Sequence, residues 1–148
     1  MLFSLLKFGT ILAENTFYLE IESDPNNLIT VEEFVNYFSV ELGIKEEKLP
    51  GLLLSVTEAT TNAIIHANKS NKNKKVKINV YVENKKLFIC VKDEGAGFDP
   101  QNVPDPTAPE NLLKDSGRGL YLMKVYMDEV KYKVTPEGTE TTLVLNLP

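Results

Sequence analysis

The chain is poor in the residues that build metal and redox sites: its 148 residues include one cysteine, Cys90, and one histidine, His66. A lone cysteine excludes an intrachain disulfide and a multi-cysteine zinc site, and it fits a reducing compartment such as the cytoplasm. A lone histidine excludes a His-rich metal cluster. Positive charge is also scarce. Sixteen Lys and Arg face 21 Asp and Glu, a formal net charge of -5, whereas a nucleic-acid binder needs a positive footprint for phosphate. A small ligand or an acidic protein partner fits this balance better than direct nucleic-acid contact. No apolar run approaches the roughly 20 residues that a helix needs to span a bilayer, so no membrane role is expected. The opening stretch from Met1 to Ala13 is split by Lys7 and has no basic region before it; it reads as an arm or an extra first strand rather than a signal peptide. No long-period repeat and no low-complexity tract occur. What remains, 43% apolar and 25% charged residues, is the composition of one ordinary globular domain.

Hydrophobic spacing and turn residues set the expected elements. Thr16 to Ile21 alternates as a strand and is broken by Asp24-Pro25-Asn26-Asn27. A helix is expected from the capping box Thr30-Val31-Glu32-Glu33, with Val31, Phe34, Val35, Phe38 and Leu42 on one stripe and a stop at Gly43. Pro50 suits a first helical turn, so a second helix is placed from about Gly51 to Ala67. Val76 to Val82 and Leu87 to Val91 read as a hairpin across the tight link from Glu83 to Lys86. Pro100, Pro104, Pro106 and Pro109 keep the next stretch from regular structure, and so long a loop in a small domain is usually functional or disordered. A third helix is placed from about Leu120 to Met127. Two strands, Val130 to Val134 and Thr141 to Leu147, close the chain. This order predicts an α+β two-layer sandwich: a mixed, mostly antiparallel sheet covered on one face by about three helices.

Three stretches carry chemistry. In the second helix Glu58, Asn62 and His66 recur at i, i+4 and i+8 and share one edge, at the border between the apolar face (Leu52, Val56, Ala59, Ala63, Ala67) and the outward Thr57, Thr61 and Asn68. Such a border can line a cleft and aim a carboxylate and an amide at one ligand, although an ordinary amphipathic helix also carries these residue types there. After a strand stands Asp93-Glu94-Gly95-Ala96-Gly97. An Asp at a strand end can accept from an exocyclic amine such as that of adenine, and Gly95 and Gly97 let the backbone approach a flat ring; a plain turn uses the same residues. The third stretch is Asp115-Ser116-Gly117-Arg118-Gly119-Leu120 at a helix start, where unpaired amides attract phosphate and Arg118 can add a fixed charge. It matches neither of the common phosphate-loop patterns.

In this order the three stretches resemble the N, G1 and G2 boxes of the GHKL ATPase superfamily, over about Glu14 to Pro148, with Gly138-Thr139 similar to its last box. Glu58-Ala59-Thr60-Thr61-Asn62-Ala63-Ile64-Ile65-His66-Ala67 is similar to the pattern of the small anti-sigma factor serine kinases. Histidine kinases usually place Asn where Glu58 stands. The resemblance implies a single histidine-kinase-like ATPase domain over residues 14–148 with a lid at about 100–118. It implies ATP and Mg²⁺, with Asn62 as metal ligand, Glu58 as general base, and Asp93, Gly95, Gly97, Gly117, Arg118 and Gly119 at the nucleotide. It also implies a cytoplasmic homodimer that phosphorylates a serine of an anti-sigma factor antagonist and binds a sigma factor. Two other readings stay open: an ATP-binding partner switch without phosphate transfer, and a stray ATPase domain of a sensor histidine kinase.

Overall fold

The computed structural model describes residues 10–13, 15–95 and 115–148, with backbone alone at 10–13 and 115–118. Six strands form one sheet: β1 (Thr10–Ala13), β2 (Thr16–Glu22), β3 (Lys75–Glu83), β4 (Lys86–Lys92), β5 (Glu129–Thr135) and β6 (Gly138–Asn146), in the spatial order β1-β2-β3-β4-β6-β5. Every ladder among the described residues is antiparallel. The α+β two-layer architecture is as expected, and among the described residues the mostly antiparallel sheet has no parallel pair. Among the described residues three helices of more than two turns accompany it: α1 (Leu28–Glu41), α2 (Leu49–Thr61) and α3 (Asp115–Tyr126). No helix among the described residues is long and apolar enough to cross a membrane.

Period-two alternation decides which sheet face is covered. Phe17, Leu19 and Ile21 of β2, Val76, Ile78 and Val80 of β3, and Leu87, Ile89 and Val91 of β4 are all buried, and their neighbours in sequence are not. Against this face lie Val31, Phe34, Val35 and Phe38 of α1, Leu52, Val56 and Ala59 of α2, and Met123 of α3. Phe34 and Phe38 meet edge to face, with centroids 5.3 Å apart. Each such fully buried side chain contributes on the order of 1.5–3 kcal/mol.

Turn chemistry fixes the connections. Gly43 ends α1 with φ +67°, while Ile44 N–H donates to Ser39 O at 2.9 Å and Gly43 N–H to Val40 O at 3.2 Å. These two bonds are the left-handed glycine stop expected there. Asn84 and Lys85, at φ 53° and 60°, close the β3–β4 hairpin, the twist-matched geometry of two-residue loops.

Two boundaries differ from expectation. Helix α1 begins at Leu28, after a 3₁₀ turn at Pro25–Asn27 capped by Asp24 Oδ1 on the Asn26 amide; Thr30 therefore lies inside the helix and is no cap. Helix α3 begins at Asp115 rather than near Leu120. Glycine inside a helix costs only about 1 kcal/mol relative to alanine, so Gly117 and Gly119 read as loop residues although the backbone there is helical.

Candidate nucleotide site

Helix α2 delivers the first pair of expected site residues. Glu58 and Asn62 are both half-buried, one turn apart at its C-terminal end. Here the helix changes pitch. Residues Asn62–Ala67 form a π turn, in which the Asn68 amide donates to the Ala63 carbonyl, five residues back, at 2.9 Å. π turns are rare and concentrate at functional sites. The wider turn breaks the 3.6-residue arithmetic from which the border edge was drawn. His66 leaves the Glu58–Asn62 line and is exposed, whereas Asn68, expected to face outward, is fully buried.

Asn62 presents an unusual atom: its side-chain Oδ1 is buried and has no hydrogen-bond partner. A buried carbonyl oxygen left unpaired costs on the order of 1–3 kcal/mol, so its persistence points to a partner supplied from outside. A hard oxygen donor of this kind suits Mg²⁺, which takes a few protein oxygens and keeps waters and phosphate oxygens for the rest. The residues present thus fit the ion.

Asp93 lies at the end of β4 and is 5% exposed. The Thr139 amide (2.9 Å) and the Gly95 amide (3.0 Å) both donate to its Oδ1, and its own amide donates to Thr139 O at 3.0 Å. The strand end is thereby locked to β6. Gly95 is needed for proximity. A Cβ there would stand 2.6 Å from the Ala67 carbonyl oxygen, so the loop after Asp93 rests directly on the end of the π turn. Gly138, at φ +151°, lies so near Asp93 that a Cβ there would overlap the Asp93 carbonyl oxygen. Thr139 itself was missed as a site residue. Its hydroxyl is buried without a partner beside Asp93, and the Gly-Thr pair that opens β6 was its only signal in the sequence.

Glu58 meets the third stretch. A Cβ on Gly119 would overlap the Glu58 carboxylate, so the absence of a side chain in α3 is what lets the acid lie against that helix. Two turns further along, Gly51 of α2 similarly accepts the ring of Tyr126 of α3. Gly117 and Arg118 belong to the first turn of α3; nothing beyond their backbone is described. Gly97 and residues 100–114 of the expected lid lie outside the described residues.

The structure therefore joins Glu58 to Gly119, Asp93 to Gly95 and Thr139, and both groups to opposite ends of one helical segment. From Glu58 to Ala67 is nine residues, about 13 Å along the axis at about 1.5 Å per residue. A separate cavity of about 520 Å³, lined by Leu42, Ile44, Lys45, Lys48, Leu145 and Leu147 among others, shares no residue with this site. Leu145 is six residues along β6 from Thr139, about 20 Å away at about 3.4 Å per residue.

Comparison with known proteins gives the family and the fold. Residues 21–145 match the family model of the histidine kinase-like ATPase domain. The chain is 33% identical over 125 residues to the serine-protein kinase RsbW of Bacillus subtilis (strain 168), covering 79% of this chain and 78% of that protein. It is 33% identical over 139 residues to the anti-sigma F factor of the same organism, covering 90% and 94%. Among solved structures, the RsbU and RsbW domains of a Mycobacterium tuberculosis protein superpose with a TM-score of 0.65 at 16% identity, over 89% of this chain and 32% of that longer one.

Proposed function

The chain belongs to the histidine kinase-like ATPase family, in the branch of the anti-sigma factor serine kinases, and on that premise we propose that it is an ATP-dependent protein serine kinase that also acts as an anti-sigma factor. ATP is the phosphoryl donor. The protein acceptor is a serine of an anti-sigma factor antagonist, and a sigma factor is the second partner. A homodimer in the cytoplasm belongs to the same reading.

The observation that carries it is the buried, unpartnered Oδ1 of Asn62 one helical turn from the Glu58 carboxylate. Asn62 would hold Mg²⁺ through that oxygen, and the ion, when bound, offsets the negative charge of the phosphates. Asp93 accepts the adenine amine on Oδ2, and Gly95, with Gly97 after it, lets the backbone lie against the ring. The amides of the first α3 turn, with Gly117, Arg118 and Gly119, face the phosphates, as helix starts favour anions. Glu58 takes the proton of the serine hydroxyl as that oxygen bonds to the γ-phosphorus and ADP leaves. A pure partner switch has no need of a carboxylate in that place.

The test is incubation of wild type and Glu58→Ala with labelled ATP and a candidate antagonist protein. Loss of a positioned base costs about 10²–10⁴ in rate, so transfer in the variant should fall by at least about a hundredfold while ATP binding persists. Transfer unchanged in Glu58→Ala removes the base assignment, and no transfer by wild type to a cognate antagonist favours the switch.

A further inference from the structure

We propose that Asn68 is a positioning residue for the nucleotide base, which holds the Asp93–Gly95 loop in register with the π turn that carries Asn62; this rests on the ATP reading above. Asn68 is fully buried, and each side-chain atom able to form hydrogen bonds is used. Its Nδ2 donates to Ser23 Oγ at 2.8 Å and to the Lys75 carbonyl at 3.2 Å, and its Oδ1 accepts from the Glu94 amide at 2.9 Å. One amide thus ties the end of the helical segment to the end of β2, the start of β3 and the residue directly after Asp93.

The backbone around it makes the same point. The Asn68 amide closes the π turn on Ala63 O, and its carbonyl accepts from Asn71 N–H at 3.0 Å. The next two residues, Lys69 and Ser70, both take left-handed conformations at φ 56° and 55°. Such conformations in non-glycine residues persist only where the surroundings enforce them. Ser23 Oγ in turn donates to Lys74 O at 2.6 Å, and the Glu94 carboxylate accepts from the Lys75 amide. Glu94 is therefore held from two sides, and the Asn68 bond is the one that reaches it from the helix. Because Asp93 reads the base while Asn62 faces the phosphates, a loosened Glu94 should blur base recognition and spare phosphate binding.

The experiment measures equilibrium affinities of full-length wild type, Asn68→Ala and Ser23→Ala for ATP and for GTP, each with Mg²⁺, beside the melting temperature without nucleotide. Losing one buried hydrogen bond that orients the loop is expected to weaken ATP about tenfold in Asn68→Ala and leave GTP within about twofold, so the ATP-over-GTP ratio falls about tenfold. Ser23→Ala is expected to melt earlier yet keep the wild-type ratio, because the Glu94 bond survives. An Asn68→Ala variant with an unchanged ratio, or equal losses for both nucleotides, overturns the proposal. If that variant does not fold, Asn68→Asp replaces it: the acceptor for the Glu94 amide remains, so its ratio should stay within about threefold of wild type, and a tenfold fall overturns the proposal. Wild type that binds neither nucleotide defeats the ATP reading itself; wild type that binds both equally removes the base-reading role of Asp93 and this proposal with it.

Discussion

The two ends of the site are finished to different degrees. At the proposed base corner, Asp93 Oδ1 already accepts two backbone amides, each polar side-chain atom of Asn68 is paired, Gly95 rests on the Ala67 carbonyl and Gly138 lies against Asp93. At the other end Asn62 Oδ1 is buried with no partner, and one residue before Glu58 the Thr57 hydroxyl is in the same state. Buried polar groups are almost always satisfied. The proposed base corner keeps one such atom too, the Thr139 hydroxyl, but its carboxylate and loop are braced by folding, whereas at the proposed phosphate end Asn62 Oδ1 is left to what binds there.

The sharpest way to break that contrast is to place a methyl group at Gly119. Because a Cβ there overlaps the Glu58 carboxylate, Gly119→Ala displaces the acid. Misplacement by about 1 Å can cost about a hundredfold in rate, so transfer should fall by about that factor, well beyond any loss of ATP affinity measured by calorimetry. Asp93→Asn attacks the other end. The substituted amide can still accept at Oδ1 and so keep the corner folded, but the charged acceptor is gone. ATP binding should weaken by about 1.5–3 kcal/mol, the range for hydrogen bonds to ionised groups, with a nearly unchanged melting temperature.

Asn62→Ala then separates completion by folding from completion by ligand. Removing an orphaned buried oxygen does not destabilise the free protein and can stabilise it by about 1 kcal/mol, while the gain in ATP affinity from added Mg²⁺ should largely vanish. A fall in melting temperature of the nucleotide-free variant would mean that Oδ1 is satisfied after all.

The smallest effect is a pH control on two side chains of the sheet. Burial pushes the Cys90 thiol up to about 11; the Thr142 hydroxyl beside it works the other way, and Glu140 adds to the rise. Burial alone takes the Tyr132 hydroxyl to about 12. Groups whose folded values are raised favour the folded state below their ordinary values, and this contribution fades as pH climbs through the folded ones. Stability should therefore decline from about pH 9 upward, and Cys90 should alkylate slowly at pH 8 and faster toward pH 11. Rapid alkylation at pH 8 would show that the thiol is not shielded.

How much of this was readable beforehand varies with the physics. The strands were legible because burial on one face writes itself as alternation, as in Phe17-Leu19-Ile21 and Leu87-Ile89-Val91. The stop at Gly43 was legible because few residues other than glycine take that backbone angle readily. The π turn was not. It is a shift of one hydrogen-bond partner from Ile64 to Ala63 that no side chain in Asn62–Ala67 announces, and it alone turned His66 out and Asn68 in. The start of α3 was obscured for a related reason: Gly117 and Gly119 look like a loop, and only the tertiary contact of Gly119 with Glu58 explains a glycine in a helix. Thr139 was legible only as part of the Gly-Thr turn, because a hydroxyl in a strand is ordinary until its surroundings show that nothing pairs with it.

The contacts of Gly51 with Tyr126 and of Gly119 with Glu58 also bear on engineering the protein for heat tolerance. Replacing helical glycine by alanine is a standard first step, since each exchange commonly adds a few tenths to about 1 kcal/mol by restricting the unfolded chain. In this helix pair that route is closed at both places, since the added methyl group would land on a neighbouring side chain. A heat-resistant version has to be sought elsewhere, for instance by making exposed Val40 and Ile29 polar on the outer side of α1.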